Sequence, residues 1–174
     1  MTEAKIRKMT IDDIGAVTEI YNEAILSTTA TFDIEPNSPE DRKRWFSEHG
    51  PKHPVIVSEI EGDVVGWASL SRWSDRGAYE GTAEVSVYVD GTNRGKGVGK
   101  SLLSAIVEEG RKAGFHTLTA RIVAGNDTSV KLVKSLGFFK IGTLREVGYK
   151  FGKYHDVIYL QKIFNPKSDV TAKF

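Results

Sequence analysis

The sequence predicts a single α/β domain built on a mixed sheet covered by helices. Three observations carry this. Helix-type and strand-type segments alternate through the chain, hairpin joints make some strand pairs antiparallel, and no stretch reads as a linker. At 174 residues, with 40% hydrophobic and 27% charged side chains, the chain can bury one core without disulfide staples. Residues 1–164 are expected to form the domain and 165–174 a polar, frayed tail.

A short strand is expected over Lys5–Lys8. Thr10 and Asp13 have capping-box spacing ahead of Ile14, Val17, Ile20, Tyr21, Ala24 and Ile25, which recur as one apolar helix face. Ser38-Pro39-Glu40-Asp41 starts a second helix, with a cap, a first-turn proline and acid at the positive end of the dipole. That helix carries Trp45 and Phe46 and ends before Pro51. Strands at Val55–Ile60 and 64–71 flank the turn Glu61-Gly62-Asp63. After a polar loop, Thr82–Val89 alternates so that Glu84, Ser86 and Tyr88 share one face. A glycine-rich loop at 93–99 leads into a helix with Leu102, Leu103, Ile106 and Val107 on one side, ended by Gly114. Thr117–Val123 is a further strand, Asn126 or Asp127 caps a short helix, and Gly137 terminates it. Strands at 138–143 and 155–161 complete the domain.

Composition excludes several classes. With 24 basic and 23 acidic side chains, the net charge of +1 gives no electrostatic case for nucleic acid or an anionic membrane. No cysteine is present, which removes disulfides, Cys-type zinc sites and a cysteine nucleophile. No histidine and carboxylate set has metal-site spacing, so no metal is expected. The polar N-terminus and the lack of a long apolar run read as a cytoplasmic protein, and Asn126-Asp127-Thr128 as a chance match to a glycosylation pattern.

The most informative segment is Arg94-Gly95-Lys96-Gly97-Val98-Gly99-Lys100-Ser101, between a strand and an amphipathic helix. Glycines let backbone amides approach a ligand, and a helix N-terminus favours negative charge. The segment reads as a phosphate or pyrophosphate cradle, or else as a flexible surface connector. A Walker loop needs glycine where Arg94 stands, and the dinucleotide pattern needs one at Lys100, so a nucleotide kinase is disfavoured.

Taken with Val85-Ser86-Val87-Tyr88-Val89, Asn126-Asp127-Thr128-Ser129 and Leu136-Gly137-Phe138, the loop resembles the GCN5-related N-acetyltransferase (GNAT) superfamily, over roughly Lys5 to Lys162. Thr31-Phe32-Asp33, Gly77-Ala78-Tyr79, the strand segment 84–89 and Phe151-Gly152-Lys153-Tyr154-His155-Asp156 look like its phosphinothricin and methionine sulfone/sulfoximine acetyltransferase branch. The resemblance implies a mostly antiparallel, twisted sheet with helices on both faces, acetyl-CoA as cosubstrate, a small primary amine as acceptor, and a homodimer. It implies that main-chain groups of Val87 and Val89, flanking Tyr88, pair with the pantetheine arm. Amides of Gly95, Lys96, Gly97, Val98, Gly99 and Lys100 would hold the pyrophosphate beside Arg94, and Asn126 would lie near the thiol.

An amine attacks a thioester only when neutral, so a base is needed. Glu84 stands where the resembled branch carries its catalytic Glu; read alone it is equally an exposed strand acid. Where the superfamily often has a tyrosine acid, and the branch can have histidine, spacing puts Val133. That departure keeps a non-catalytic acyl-CoA-binding module as an alternative, beside protein N-terminal or lysine acetylation. For the acceptor, Phe32 and Tyr88 are wall candidates, and Arg72 and Arg76 are either a bidentate carboxylate clamp or two solvated arginines. His49, His53 and His116 read as solvated, and His155-Asp156 as either substrate-side or structural.

Overall fold

Residues 4–165 are described by the computed structural model, and among them seven strands make one sheet flanked by four helices. The elements are β1 (Lys5–Lys8), α1 (Ile14–Ser27), α2 (Pro39–His49), β2 (Val55–Ile60), β3 (Asp63–Arg72), β4 (Thr82–Val89), α3 (Val98–Lys112), β5 (Thr117–Val123), α4 (Asp127–Ser135), β6 (Phe139–Lys150) and β7 (Lys153–Ile163). Strand order is β1-β2-β3-β4-β5-β7-β6. Every neighbouring pair is antiparallel except β4 and β5. None of the described helices is long and apolar enough to cross a membrane.

The two faces follow from strand alternation. Ile56, Ala68, Leu70 and Val85 point to the side where α3 contributes Leu102, Leu103 and Ile106 and α4 contributes Val133. Val55, Val57 and Trp67 point the other way, against Val17 and Ile20 of α1 and Trp45 and Phe46 of α2. Both expected helix starts are built. Ser38 Oγ accepts the Asp41 amide at 3.1 Å while Asp41 Oδ2 accepts the Ser38 amide at 3.0 Å. At Thr10, Asp13 Oδ2 accepts the backbone amide at 2.8 Å, and Arg7 grips the same carboxylate.

The last two strands are longer than their sequence pattern indicates. Gly142, Arg145, Glu146 and Gly148 break the alternation, yet the ladder continues to a tight turn at Phe151-Gly152, both with positive φ (51° and 79°). The register shifts first between Lys140 and Gly142 and again, as a longer bulge, between Leu144 and Gly148. There Glu146 is left-handed (φ 49°) and donates its amide to Asp156 Oδ1 at 2.8 Å. Asp156 therefore holds the bulge, and His155 Nε2 meets the Lys150 carbonyl at 2.9 Å, so each has a structural partner. His49 is also not solvated: it is buried, with Nδ1 on the Trp45 carbonyl and Nε2 on Ser71 Oγ. Residues 166–174, most of the expected tail, lie outside the described residues.

Candidate active site

The site begins where the sheet comes apart. β4 and β5 pair only over Thr82↔Thr117, Ala83↔Leu118 and Glu84↔Thr119, although β4 runs on to Val89 and β5 to Val123. Beyond Glu84 the strands diverge, so the edge of β4 from Val85 onward lacks a neighbouring strand on that side. The gap widens into a cavity of about 540 Å³. Val85, Val87, Ile122, Leu132 and Val133 line its α3/α4 end. Tyr21, residues 29–33, Glu84, Tyr88, Arg121 and Tyr159 line the other.

At the mouth of the gap, Gly95 and Gly97 take positive φ (74° and 88°), conformations that L side chains reach only with strain. Gly97 is the N-cap of α3 and, having no side chain, caps none of its amides. The first-turn N–H groups are thus left for an anion. Arg94 anchors the loop: its Nε donates to the Val89 carbonyl at 3.0 Å and its Nη2 to Glu23 of α1 at 3.0 Å. Lys96 Nζ lies 3.3 Å from Asn93 Oδ1. Asn126 lines the cavity and commits its Oδ1 to the Ser129 amide, as the cap of α4. These residues suit a pantetheine arm laid along β4 with its phosphates at α3.

Glu84 occupies the last paired position of β4, at the head of the gap. Its Oε1 accepts from Arg121 Nε at 2.8 Å and Nη2 at 2.7 Å. The pairing Glu84↔Thr119 explains the contact: Arg121 is two residues beyond Thr119 and so projects from the same face. Burial works to lower the Arg121 pKa, but the hydrogen bond and charge of Glu84 outweigh it, and the net shift is upward. Nothing in the sequence announced Arg121, although it is the only charged residue of its strand.

The wall at that second end of the cavity is assembled from distant segments. Lys150 is buried and donates from Nζ to the Thr31 carbonyl at 2.8 Å, pinning the 29–33 segment against β6. Phe32 lies over Gly148, where a Cβ would overlap its ring, and beside His155. Tyr88 packs at a tilt on Trp67 and meets Tyr21 edge-on, and burial first, then the neighbouring Tyr21, raises its hydroxyl pKa. That makes it a poor proton donor at neutral pH. Trp73 meets Tyr159 edge-on at 6.2 Å, which puts it just behind the wall.

Arg72 and Arg76 are not brought to this cavity. They line a separate depression of about 80 Å³, and Arg72 pairs with Asp75 at 3.5 Å. The pleat is the reason: Arg72 lies opposite Ala83, whereas Ser71 lies opposite Glu84, so Arg72 projects from the other face.

Comparison with known proteins agrees with this geometry. The Acetyltransferase (GNAT) domain family model matches residues 6–159. An L-methionine sulfoximine/L-methionine sulfone acetyltransferase of Pseudomonas aeruginosa is 37% identical over 165 residues, covering 94% of this chain and 96% of that protein. A phosphinothricin N-acetyltransferase of Streptomyces viridochromogenes is 36% identical over 160 residues, 92% and 87% of the two chains. The crystal structure of a GNAT phosphinothricin acetyltransferase from Sinorhizobium meliloti in complex with acetyl-CoA superposes with a TM-score of 0.90 at 32% identity, covering 99% and 97%. A diverging β4/β5 pair, an uncapped glycine turn at α3 and these matches have one reading: the chain belongs to the GNAT family and is an acetyl-CoA-dependent N-acetyltransferase.

Proposed function

We propose that the chain acetylates the primary amine of a small amino-acid-like acceptor, of the methionine sulfoximine, methionine sulfone or phosphinothricin type, with Glu84 as general base. The observation that carries the reading is the position of Glu84 at the point where β4 and β5 part. There one carboxylate meets both the open strand edge and the acceptor end of the cavity.

Acetyl-CoA supplies the thioester carbonyl that the amine attacks. Main-chain groups of Val87 and Val89 take the pantetheine arm as an added strand. The amides of residues 95–100 take the pyrophosphate, and Asn126 offers its Nδ2 near the sulfur. Glu84 Oε2, which accepts no hydrogen bond among the described residues, receives a proton from the acceptor ammonium. A strand amide near Val87 or Val89 faces the oxygen that gains charge. The C–N bond forms, the C–S bond breaks, and the second amine proton leaves with the thiolate or to solvent. Val133 is buried and apolar, so no side-chain acid stands there, and a thiol pKa near 8.5 lets the thiolate depart unaided.

Free-thiol release from acetyl-CoA tests the reading. Release is expected with methionine sulfoximine, methionine sulfone and phosphinothricin. Release with peptides or polyamines alone would replace the acceptor class, and acetyl-CoA binding without any turnover would favour the non-catalytic module.

Two further features belong to the same proposal. The chain acts in the cytoplasm, in keeping with described helices none of which could cross a membrane. It also works as a homodimer through the β6/β7 hairpin, where Leu144, Val147, Tyr149, Phe151 and Tyr154 are exposed. Leu144 and Val147 also line the cavity, so this face continues into the acceptor site. Sedimentation equilibrium should give twice the 19.2 kDa chain mass; a single-chain mass at assay concentration overturns the dimer.

A further inference from the structure

The charged side chains lining the cavity are Asp33, Glu84 and Arg121, so Arg121 is the sole cation there among the described residues. Its guanidinium carries five N–H donors in a rigid fork. Two of them converge on a single oxygen, Glu84 Oε1. Tyr159, directly opposite on β7, sits beside the guanidinium, and even with a bond to it two N–H groups remain. The Arg121 side chain is 52% exposed, against 17% for Glu84. The pair is therefore half-used. A fork of donors and a free carboxylate oxygen, Oε2, stand side by side at the acceptor end.

That arrangement is complementary to a zwitterion. An oxyanion meets the fork of Arg121 while an ammonium group one or two bonds away meets Glu84 Oε2. The four charges alternate, and the intramolecular pair need not open. Anchoring the oxyanion also sets the amine against the group that removes its proton, which is the positioning that acyl transfer requires. Asp33 bonds to the Tyr21 hydroxyl at 2.8 Å on the far wall and repels an anion placed near it, reinforcing one orientation.

We propose that Arg121 is the carboxylate receptor of the acceptor site, making the enzyme selective for acceptors with an oxyanion next to the amine. The inference rests on the amino-acid-like acceptor and the Glu84 base proposed above. It assigns the anion-binding role to β5, not to the loop that bears Arg72 and Arg76.

The test compares L-methionine sulfone with its carboxamide, which keeps the amine and removes the negative charge. The parent protein, Arg121→Gln and Arg121→Lys are each assayed by thiol release, with melting temperature as a fold control. The parent should favour the acid over the amide by about 10–100-fold in kcat/KM, as for a charge-assisted bidentate contact. Arg121→Gln should bring that ratio close to one, mainly through the KM of the acid. Arg121→Lys, which keeps the charge without the fork, should restore part of it. A fall of equal size for acid and amide would show that Arg121 only holds Glu84 in place and would overturn the receptor. A parent protein that acetylates neither compound while acetylating other amines overturns the amino-acid-like acceptor reading, and this inference with it.

Discussion

Glu84→Gln should lower kcat by roughly 10²–10⁴-fold while leaving acetyl-CoA affinity within about twofold. Glutamine keeps the shape and still offers a carbonyl oxygen to Arg121, whose Nε and Nη2 now sit 2.8 and 2.7 Å from Glu84 Oε1. What it removes is the capacity to take a proton from the acceptor ammonium. The cofactor contacts we propose lie along Val87–Val89 and the first turn of α3, away from this carboxylate, so binding of acetyl-CoA should survive. Stopped-assay thiol release paired with calorimetric titration of acetyl-CoA separates the two effects. An unchanged kcat would remove Glu84 from the chemistry and assign proton transfer to a water-mediated route. Loss of acetyl-CoA binding together with turnover would instead mean that the carboxylate orders the gap between β4 and β5.

Trp67→Ala should cost about 3–5 kcal/mol of stability, as for a large aromatic removed from a packed core. Trp67 is almost fully buried. Its ring meets Tyr21 at 5.8 Å, Trp45 at 5.3 Å and Tyr88 at 4.8 Å, with the Arg42 guanidinium 5.6 Å away. The melting temperature should fall by roughly 6–20 °C, since a chain of this size loses about 2–4 °C per kcal/mol. Catalysis should suffer as well, because Tyr21 and Tyr88 line the acceptor end and Trp67 backs both. The acceptor KM should therefore rise at temperatures where the variant is fully folded. Among the described residues the indole Nε1 has no hydrogen-bond partner, so the loss is one of packing and not of a polar contact. A shift of less than 2 °C would contradict the view that this aromatic cluster supports the site.

The division between what was legible and what was not has a physical basis. Local signals were reliable: the capping boxes at Thr10 and Ser38, the alternation of Thr82–Val89, and the glycines whose left-handed backbone opens α3. Each is settled by interactions among residues a few positions apart. The strand that places Glu84 was legible for the same reason, while its candidacy as a base came from the family resemblance. The length of β6 and β7 was hidden because a bulge clamped by Asp156 tolerates residues that otherwise interrupt a strand. His49 looked solvated beside Pro51, yet Trp45 and Ser71 give it partners that only packing supplies.

By itself the sequence determined the element order, the glycine turn that suits a phosphate, and the strand that carries Glu84, because these depend on backbone propensity, capping and periodicity. Only the tertiary structure decided which cation stands at the acceptor. Arg121 and Glu84 are 37 positions apart, and the parallel register Glu84↔Thr119 puts them on one face. Arg72 lies one residue beyond the strand partner of Glu84, and the pleat turns it to the opposite face. Register is a property of two strands together, so no reading of either strand alone could choose between those arginines.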